Sequence, residues 1–374
     1  MRDTPVIVFG AGATKDCGGF LTNEILHEAF KADPTLAPQQ QAIQLLREFL
    51  DENFLSARAN IEDYPSLTLL LSLMDTAIDR KQPFGLKWTP EKVAEVRQAM
   101  EAAIFAVLDF RSPQSEMDSY LGLLKMAFPA VAPEATVISL NYDMIVDMAM
   151  FELADQRKPG SMPSYGCDIK TQAYQDCKDR WGSLFKIHGS VNWMYCSQCH
   201  HLDIGWSSKR AVPSRIGTLF YRVEEQYAQK INCPECATRL RPILITPTHR
   251  KDYRNPHLAR IWYDAERALQ RANRVIFVGY SLPDDDVDVI YLFKRGLGAR
   301  NPNPLLPQQI TVVEYDAQAR AINAHPVGQR YRALFGDGID FRTEGFTGWL
   351  NACRGNPGLE PGLALRPQAA SGAA

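Results

Sequence analysis

With 374 residues, 45% of them hydrophobic and 10% aromatic, the chain carries enough apolar matter to bury one large core or two smaller ones. Its 41 basic residues against 43 acidic ones leave a net charge of -2, so bulk electrostatics gives no reason to expect nucleic acid or an anionic membrane as a direct partner. No run approaches the roughly 20 apolar residues of a membrane helix, and Val6-Ile7-Val8-Phe9 is too short for a signal-peptide core. A cytoplasmic location is therefore expected, where the eight cysteines are thiols or metal ligands rather than disulfides.

The first element, Val6 to Phe9, reads as a buried strand ending in Gly10-Ala11-Gly12-Ala13-Thr14, with a helix start near Thr22. Small residues there let a phosphate approach the backbone closely, with the N–H groups of the next helix aimed at the anion. Taken alone, the same turn fits a tight strand-to-helix connection equally well. Lys15 stands where the ordinary dinucleotide fingerprint needs a third small residue, which counts against a dehydrogenase. From 38 to 130 the pattern changes to amphipathic stretches, Gln39–Leu50, Tyr64–Asp79, Pro90–Phe110 and Ser115–Phe128, and predicts a helical insertion or lid.

Strand character returns at Ala135–Leu140, Ser183–Ile187, Arg274–Val278 and Gln309–Val313. Continuous apolar strands separated by helices predict an α/β fold, a Rossmann-like parallel sheet covered on both faces. Ligands of such sheets bind at the carboxyl ends of the strands. Asn141 and Asp143 follow the first of these strands, suited either to hydrogen-bonding a water or ribose hydroxyls or to capping a helix. His188 ends the second, where it is either a structural imidazole or a base. Gly279 and Ser281 follow the third as candidate ligand contacts. The acidic run Asp284-Asp285-Asp286 beyond them reads as a helix cap. Glu314 follows the fourth, where a carboxylate holds adenosine ribose.

Cys196, Cys199, Cys233 and Cys236 form two CxxC knuckles with 33 residues between them, a spacing that suits four thiolates around a structural zinc. The segment 355–374, rich in Pro, Gly and Ala, is expected to be disordered.

Taken in order, GAGAT, SLNYD, KIHGS, the two knuckles, GYSL and VVEYD resemble the sirtuin family, and more closely its divergent bacterial branch of sirtuin-like NAD hydrolases used in antiphage defence. The resemblance covers roughly residues 5–30 and 135–350. It implies an NAD-binding domain over 1–37 and 131–350, with 38–130 as insertion or lid and 194–240 as a zinc module. By matching position, His188 would be the base, and Asn141 and Asp143 would serve the nicotinamide ribose and the attacking water. Gly10, Ala11, Gly12, Ala13, Thr14, Asn23, Gly279, Ser281 and Glu314 would hold NAD.

Several departures bear on the acceptor. Leu140 stands where deacylases usually carry Gln, and Gly18–Asn23 replaces their GIPDFR-like loop. Pro242–His249 replaces their FGE-type segment, and Pro283 with three aspartates follows the turn whose successors pair with an acyl-lysine peptide. The implied function is hydrolysis of NAD, as substrate, to nicotinamide and ADP-ribose by a regulated defence (abortive infection) effector. The alternatives are an NAD-dependent protein deacylase and a non-catalytic NAD or ADP-ribose sensor. A homo-oligomer and an operon-encoded partner such as an ATPase are further expectations.

Overall fold

The computed structural model describes residues 5–31, 37–54, 64–110, 114–128, 135–204, 206–207, 210–211, 232–244, 255–298 and 305–355. The expected disordered tail lies outside them, except Gly355, which ends the last helix.

The amino-terminal part runs β1 (Pro5–Phe9), α1 (Ala11–Asp16), α2 (Ile25–Lys31), α3 (Ala37–Asn53), α4 (Leu67–Arg80), α5 (Pro90–Phe110) and α6 (Gln114–Ala127). The middle part holds β2 (Thr136–Ser139), α7 (Ile145–Arg157), β3 (Met162–Ser164), α8 (Gln172–Asp176), β4 (Arg180–Lys186), β5 (Gly189–Tyr195) and β6 (Leu202–Ile204). It continues through β7 (Trp206–Ser207), β8 (Arg210–Ala211) and β9 (Arg241–Leu244). The last part is α9 (Pro256–Arg271), β10 (Arg274–Val278), α10 (Val287–Leu297), β11 (Ile310–Val313), α11 (Pro326–Phe335), β12 (Asp340–Arg342) and α12 (Gly345–Gly355).

Seven strands form one sheet in the order β12-β11-β10-β1-β2-β4-β3, and every pairing in it is parallel. β1 lies inside the sheet with Val6 to Phe9 buried, which is why it reads as an unbroken apolar run rather than an alternating one. The chain builds outward from β1 to β2 and β4, then returns to β10 on the other side of β1. This reversal is the point at which open parallel sheets bind ligands.

Register then sets the site. Phe9 lies opposite both Ser139 and Val278, Ser139 opposite Lys186, and Val278 opposite Val313. The residues one step further on, Gly10, Leu140, Ile187, Gly279 and Glu314, therefore sit side by side at the carboxyl edge. Their N–H groups continue the ladder: Gly10 donates to Val278 at 3.0 Å, Leu140 to Phe9 at 2.9 Å, Ile187 to Ser139 at 3.2 Å and Gly279 to Val313 at 2.8 Å.

Two apolar cores are distinct. One, including Ile25, Phe30, Leu46, Phe49, Leu70, Met74, Val96, Met100 and Ile104, is shared by α2, α3, α4 and α5. The other packs both faces of the sheet and takes in α6 through Tyr120, Leu123, Leu124 and Ala127, with Phe128 just beyond it. Leu108, near the end of α5, touches both. The entry to α4 is fixed by Ser66, whose hydroxyl accepts the Leu69 N–H at 3.2 Å, and its exit by Lys81 in the left-handed region at φ 52°. The strand β5, absent from the sequence reading, pairs antiparallel with β6 and β9 in a separate small sheet. Among the described residues no helix is long and apolar enough to cross a membrane.

Candidate functional site

At the carboxyl edge Gly10 and the first turn of α1, which begins at Ala11, earlier than the start near Thr22 that the sequence suggested, are in direct backbone contact with the turn after β10. The Gly12 N–H donates to the Gly279 carbonyl at 2.7 Å. A Cβ on Gly279, whose φ is +62°, would lie 2.0 Å from the Ala13 nitrogen, and one on Gly10 would lie 2.6 Å from the Gly279 oxygen. Part of the room these glycines make is thus filled by one another, which is the tight-connection role the sequence left open for the first turn. Ala11, Gly12 and Gly279 still line the cavity beside the turns.

Thr14 joins this turn to the segment after β2. Its hydroxyl donates to the Asp143 Oδ2 at 2.9 Å and accepts from the Asn141 Nδ2 at 3.0 Å. The Tyr120 hydroxyl lies 3.1 Å away, and because the single Thr14 proton is already given to Asp143, Tyr120 is the donor in that contact. The second Asn141 Nδ2 hydrogen goes to the Gly10 carbonyl at 3.0 Å. With both hydrogens committed, Oδ1 is the atom Asn141 has to offer a ligand.

Asp143 serves two purposes at once. Its Oδ1 accepts the Ile145 N–H, the first of α7, at 3.0 Å from one residue before the cap position, which Met144 holds, while Oδ2 holds Thr14. Burial pushes its carboxyl up from the ordinary range, opposed by the Lys186 charge and by the bonds from Ile145 and Thr14. Beneath it Lys186 donates to the Asp143 carbonyl and to the Asp147 Oδ2 at 2.8 Å, and neither side chain of this ion pair is exposed. Tyr165 closes the group by donating to the Asp147 Oδ1 at 2.6 Å.

His188 follows β4 just before Gly189, which turns the chain at φ +81°. Its Nδ1 lies 3.1 Å from the Leu140 carbonyl. Since that oxygen only accepts, Nδ1 carries a proton, and in the neutral imidazole Nε2 is the nitrogen with the lone pair. The ring lies 6.2 Å from the Tyr142 ring at 33°, and Trp262 holds the strand end by donating to the Ile187 carbonyl at 2.8 Å.

A cavity of about 430 Å³ opens onto this edge. Of the residues singled out in the sequence, Ala11, Gly12, Asn23, Asn141, Asp143, His188, Gly279, Ser281 and Glu314 line it. Gly10, Ala13 and Thr14 stand behind the wall, with Ala13 and Thr14 buried. Burial raises the Glu314 carboxyl, countered by the Tyr315 N–H and by Arg330. Thr68 of α4 and Leu108 of α5 also line the wall, so the helical core shapes the cavity directly.

The sequence reading missed Tyr120, Tyr142, Lys186, Asp147 and Tyr280, and took Asp286 only as part of a helix cap. Of these, only a lysine inside the apolar run Leu184-Phe185-Lys186-Ile187 carried a signal.

The four knuckle cysteines converge, all four sulfurs lying within 4.8 Å of one another. Cys196 and Cys236 are 3.4 Å apart, as are Cys199 and Cys233, against roughly 3.8 Å for the edge of a tetrahedral zinc–thiolate site. Both knuckles turn alike. The His200 N–H donates to the Cys196 carbonyl and the Ala237 N–H to the Cys233 carbonyl, and His200 and Ala237 are both left-handed at φ 62° and 60°. The register of β5 on β9, with Tyr195 opposite Arg241, brings them together. The donor set and its geometry fit a structural zinc.

A family model described as a SIR2-like domain matches residues 135–325, just over half of the chain. The chain belongs to this SIR2-like family. Among solved structures, a complex of Sir2 with a p53 peptide and NAD+ aligns with 14% identity and a TM-score of 0.42, covering 95% of this chain and 94% of that one. A Sir2 homolog–NAD complex aligns with 12% identity and a TM-score of 0.41, covering 97% and 92%. Sir2 bound to an acetylated peptide gives 12% identity and a TM-score of 0.43, covering 95% and 94%. No curated protein matches significantly. The matched span of the SIR2-like chain holds Asn141, Asp143, His188, all four knuckle cysteines, Gly279, Ser281, Asp286 and Glu314, whereas the GAGAT turn and the helical core lie before it.

Proposed function

We propose that this SIR2-like chain binds NAD and hydrolyses it to nicotinamide and ADP-ribose, with zinc held structurally by Cys196, Cys199, Cys233 and Cys236. The observation that carries the reading is His188: its Nδ1 is tied to the Leu140 carbonyl, and its ring shares one cavity with Asn141, Asp143 and the glycine turns.

In the proposed reaction the C1′–N1 bond of the nicotinamide riboside breaks and its electron pair leaves with nicotinamide. A water then bonds to C1′, oriented by the Asn141 Oδ1, and its proton passes to the His188 Nε2. Asp143 keeps Thr14, and through it Asn141, in place. Water is favoured over an acyl-lysine because Thr68, Leu108 and Pro283 border the cavity, and Pro283 has no N–H to offer a peptide strand.

The reading places the NAD-binding domain over 1–37 and 131–350 and makes the helical segment 38–130, apart from α6, which packs on the sheet core, a lid or assembly surface. It extends to a defence effector kept silent in a homo-oligomer or by an operon-encoded partner such as an ATPase, which supplies the control such a destructive activity requires. A monomer with full constitutive activity in sedimentation and turnover assays contradicts that extension.

The test of the chemistry is nicotinamide release from NAD by wild type, His188→Ala and Asn141→Ala, with losses of about 10²–10⁴-fold expected for the base. Undiminished release by both variants refutes the residue assignment. Acceleration of NAD consumption by an acylated peptide would move the reading to deacylation, and tight NAD binding with no turnover would move it to a sensor.

A further inference from the structure

Asp286 occupies the position before α10 where an acidic side chain ordinarily caps the helix, yet its carboxylate makes no cap bond. A cap of this kind contributes to helix stability, so a residue that forgoes it is held elsewhere by something specific. The Tyr280 hydroxyl donates to the Asp286 Oδ2 at 2.7 Å. Tyr280 is itself buried, and its carbonyl is fixed by the Tyr331 hydroxyl at 2.8 Å. The result is a carboxylate only 8% exposed on the wall of the cavity that also holds His188 and Tyr142. Its charge is felt at the Tyr142 hydroxyl, which burial and Asp286 together push up, and the Tyr142 ring is the one that lies against His188. Asp286, Tyr142 and His188 all line that one cavity.

The other carboxylates of the wall are differently placed. Asp143 spends both oxygens on Ile145 and Thr14, Glu314 follows β11 on the far side of β10 from β1, and Asp285, which also lines the wall, is exposed where Asp286 is buried.

We infer that Asp286 forms the negative wall of the nicotinamide-riboside end of the cavity, selecting the oxidised, cationic dinucleotide and offsetting the positive charge that moves onto ribose during bond breaking. This rests on the NAD-hydrolysis reading and assigns it a residue which that reading does not use. NAD+ carries its charge on the pyridinium ring. As the C1′–N1 bond breaks, the pair passes to the ring nitrogen, nicotinamide leaves neutral, and the positive charge is shared by C1′ and the ribose ring oxygen. The water oxygen then bonds to C1′ and its proton goes to His188. Asp286 gains and loses no proton; a fixed anion beside the centre where charge shifts is electrostatic stabilisation.

The experiment compares full-length wild type, Asp286→Asn and Tyr280→Phe in two assays, calorimetric binding of NAD+ and of NADH, and nicotinamide release. Wild type is expected to bind NAD+ at least about tenfold more tightly than NADH, and Asp286→Asn to abolish that preference. In turnover, Asp286→Asn is expected to lower kcat by about 10²–10³-fold, with a smaller change in KM. Tyr280→Phe, which keeps the charge and loosens its orientation, is expected to fall between and covers the case in which Asp286→Asn does not fold.

If wild type prefers NAD+ and Asp286→Asn loses the preference while no nicotinamide is released by either, the hydrolysis reading fails and the placement of Asp286 stands. If wild type hydrolyses NAD and both variants keep its kcat and its NAD+ preference, the placement of Asp286 is overturned and the hydrolysis reading stands. Equal binding of NAD+ and NADH by wild type also overturns it.

Discussion

Replacing Thr14 with valine keeps the volume of the side chain and removes the hydroxyl on which the site is organised. Three contacts go: the bond to the Asp143 carboxylate at 2.9 Å, that from Asn141 at 3.0 Å and that from Tyr120 at 3.1 Å. All four residues are buried, and of them only Asn141 and Asp143 border the cavity, so water replaces the lost partners poorly. A bond to a charged acceptor contributes roughly 1.5–3 kcal/mol and a neutral one roughly 0.5–1.5 kcal/mol. Asn141 keeps its bond to Gly10, so a total near 3 kcal/mol is expected, read as a lower urea midpoint at unchanged slope.

Thr14→Ser keeps the hydroxyl and loses only a methyl packed against Gly19, where a Cβ would come within 2.4 Å of it. Its expected cost is about 1 kcal/mol.

The pH dependence has a definite sign. Burial raises the folded-state pKa of Asp143 while the Thr14 bond lowers it. A carboxyl with a raised folded-state pKa holds its proton longer in the native state, so stability falls as pH climbs from the ordinary carboxylate range through the raised value. Removing Thr14 raises that value further, so the gap between wild type and Thr14→Val widens with rising pH. A valine variant with the wild-type midpoint, a serine variant as damaged as the valine one, or a gap that narrows with pH would refute this account.

Lys186→Met is expected to destabilise by about 3–5 kcal/mol, because it strands Asp147 in a site where neither partner is exposed. The double variant Lys186→Met, Asp147→Leu is expected to recover much of that in the same denaturation assay, and no recovery would disprove the pairing argument. Gly279→Ala places a Cβ 2.0 Å from the Ala13 nitrogen at a φ of +62° and is expected to cost more than about 3 kcal/mol; a wild-type melting curve would count against the interlocked turns. One zinc per chain is expected by native mass spectrometry and its loss in Cys199→Ser, with a lowered melting temperature after chelation. A metal-free wild type would rule out the zinc site.

Much of this architecture is written locally. Val6 to Phe9 and Val275 to Val278 are apolar on both sides, and that alone marks central strands of a covered parallel sheet. The two CxxC turns carry their own geometry, as the matching left-handed residues His200 and Ala237 show. Three features stayed hidden for separate reasons. β5 buries Ser190 and Asn192 as fully as Val191 and Trp193, so its polar residues broke the strand signal. α6 has the same amphipathic pattern as α3 to α5 but packs on the sheet core, a choice of partner that periodicity does not encode. Asp286 read as a cap because its sequence context is a helix start, whereas its actual partner is the Tyr280 hydroxyl six residues earlier.

His188 shows where the division falls. By sequence it was a histidine at the end of a strand, open to a structural or a catalytic role. The register of β4 on β2 and of β2 on β1 puts it beside Leu140 and Asn141, and the Leu140 carbonyl fixes its tautomer. Side-chain period and turn chemistry act over a few residues and so are legible in one strand. Which strand ends lie side by side, and which helices wall the cavity they form, depends on hydrogen-bond register and apolar packing between segments more than a hundred residues apart, and only the folded chain decides it.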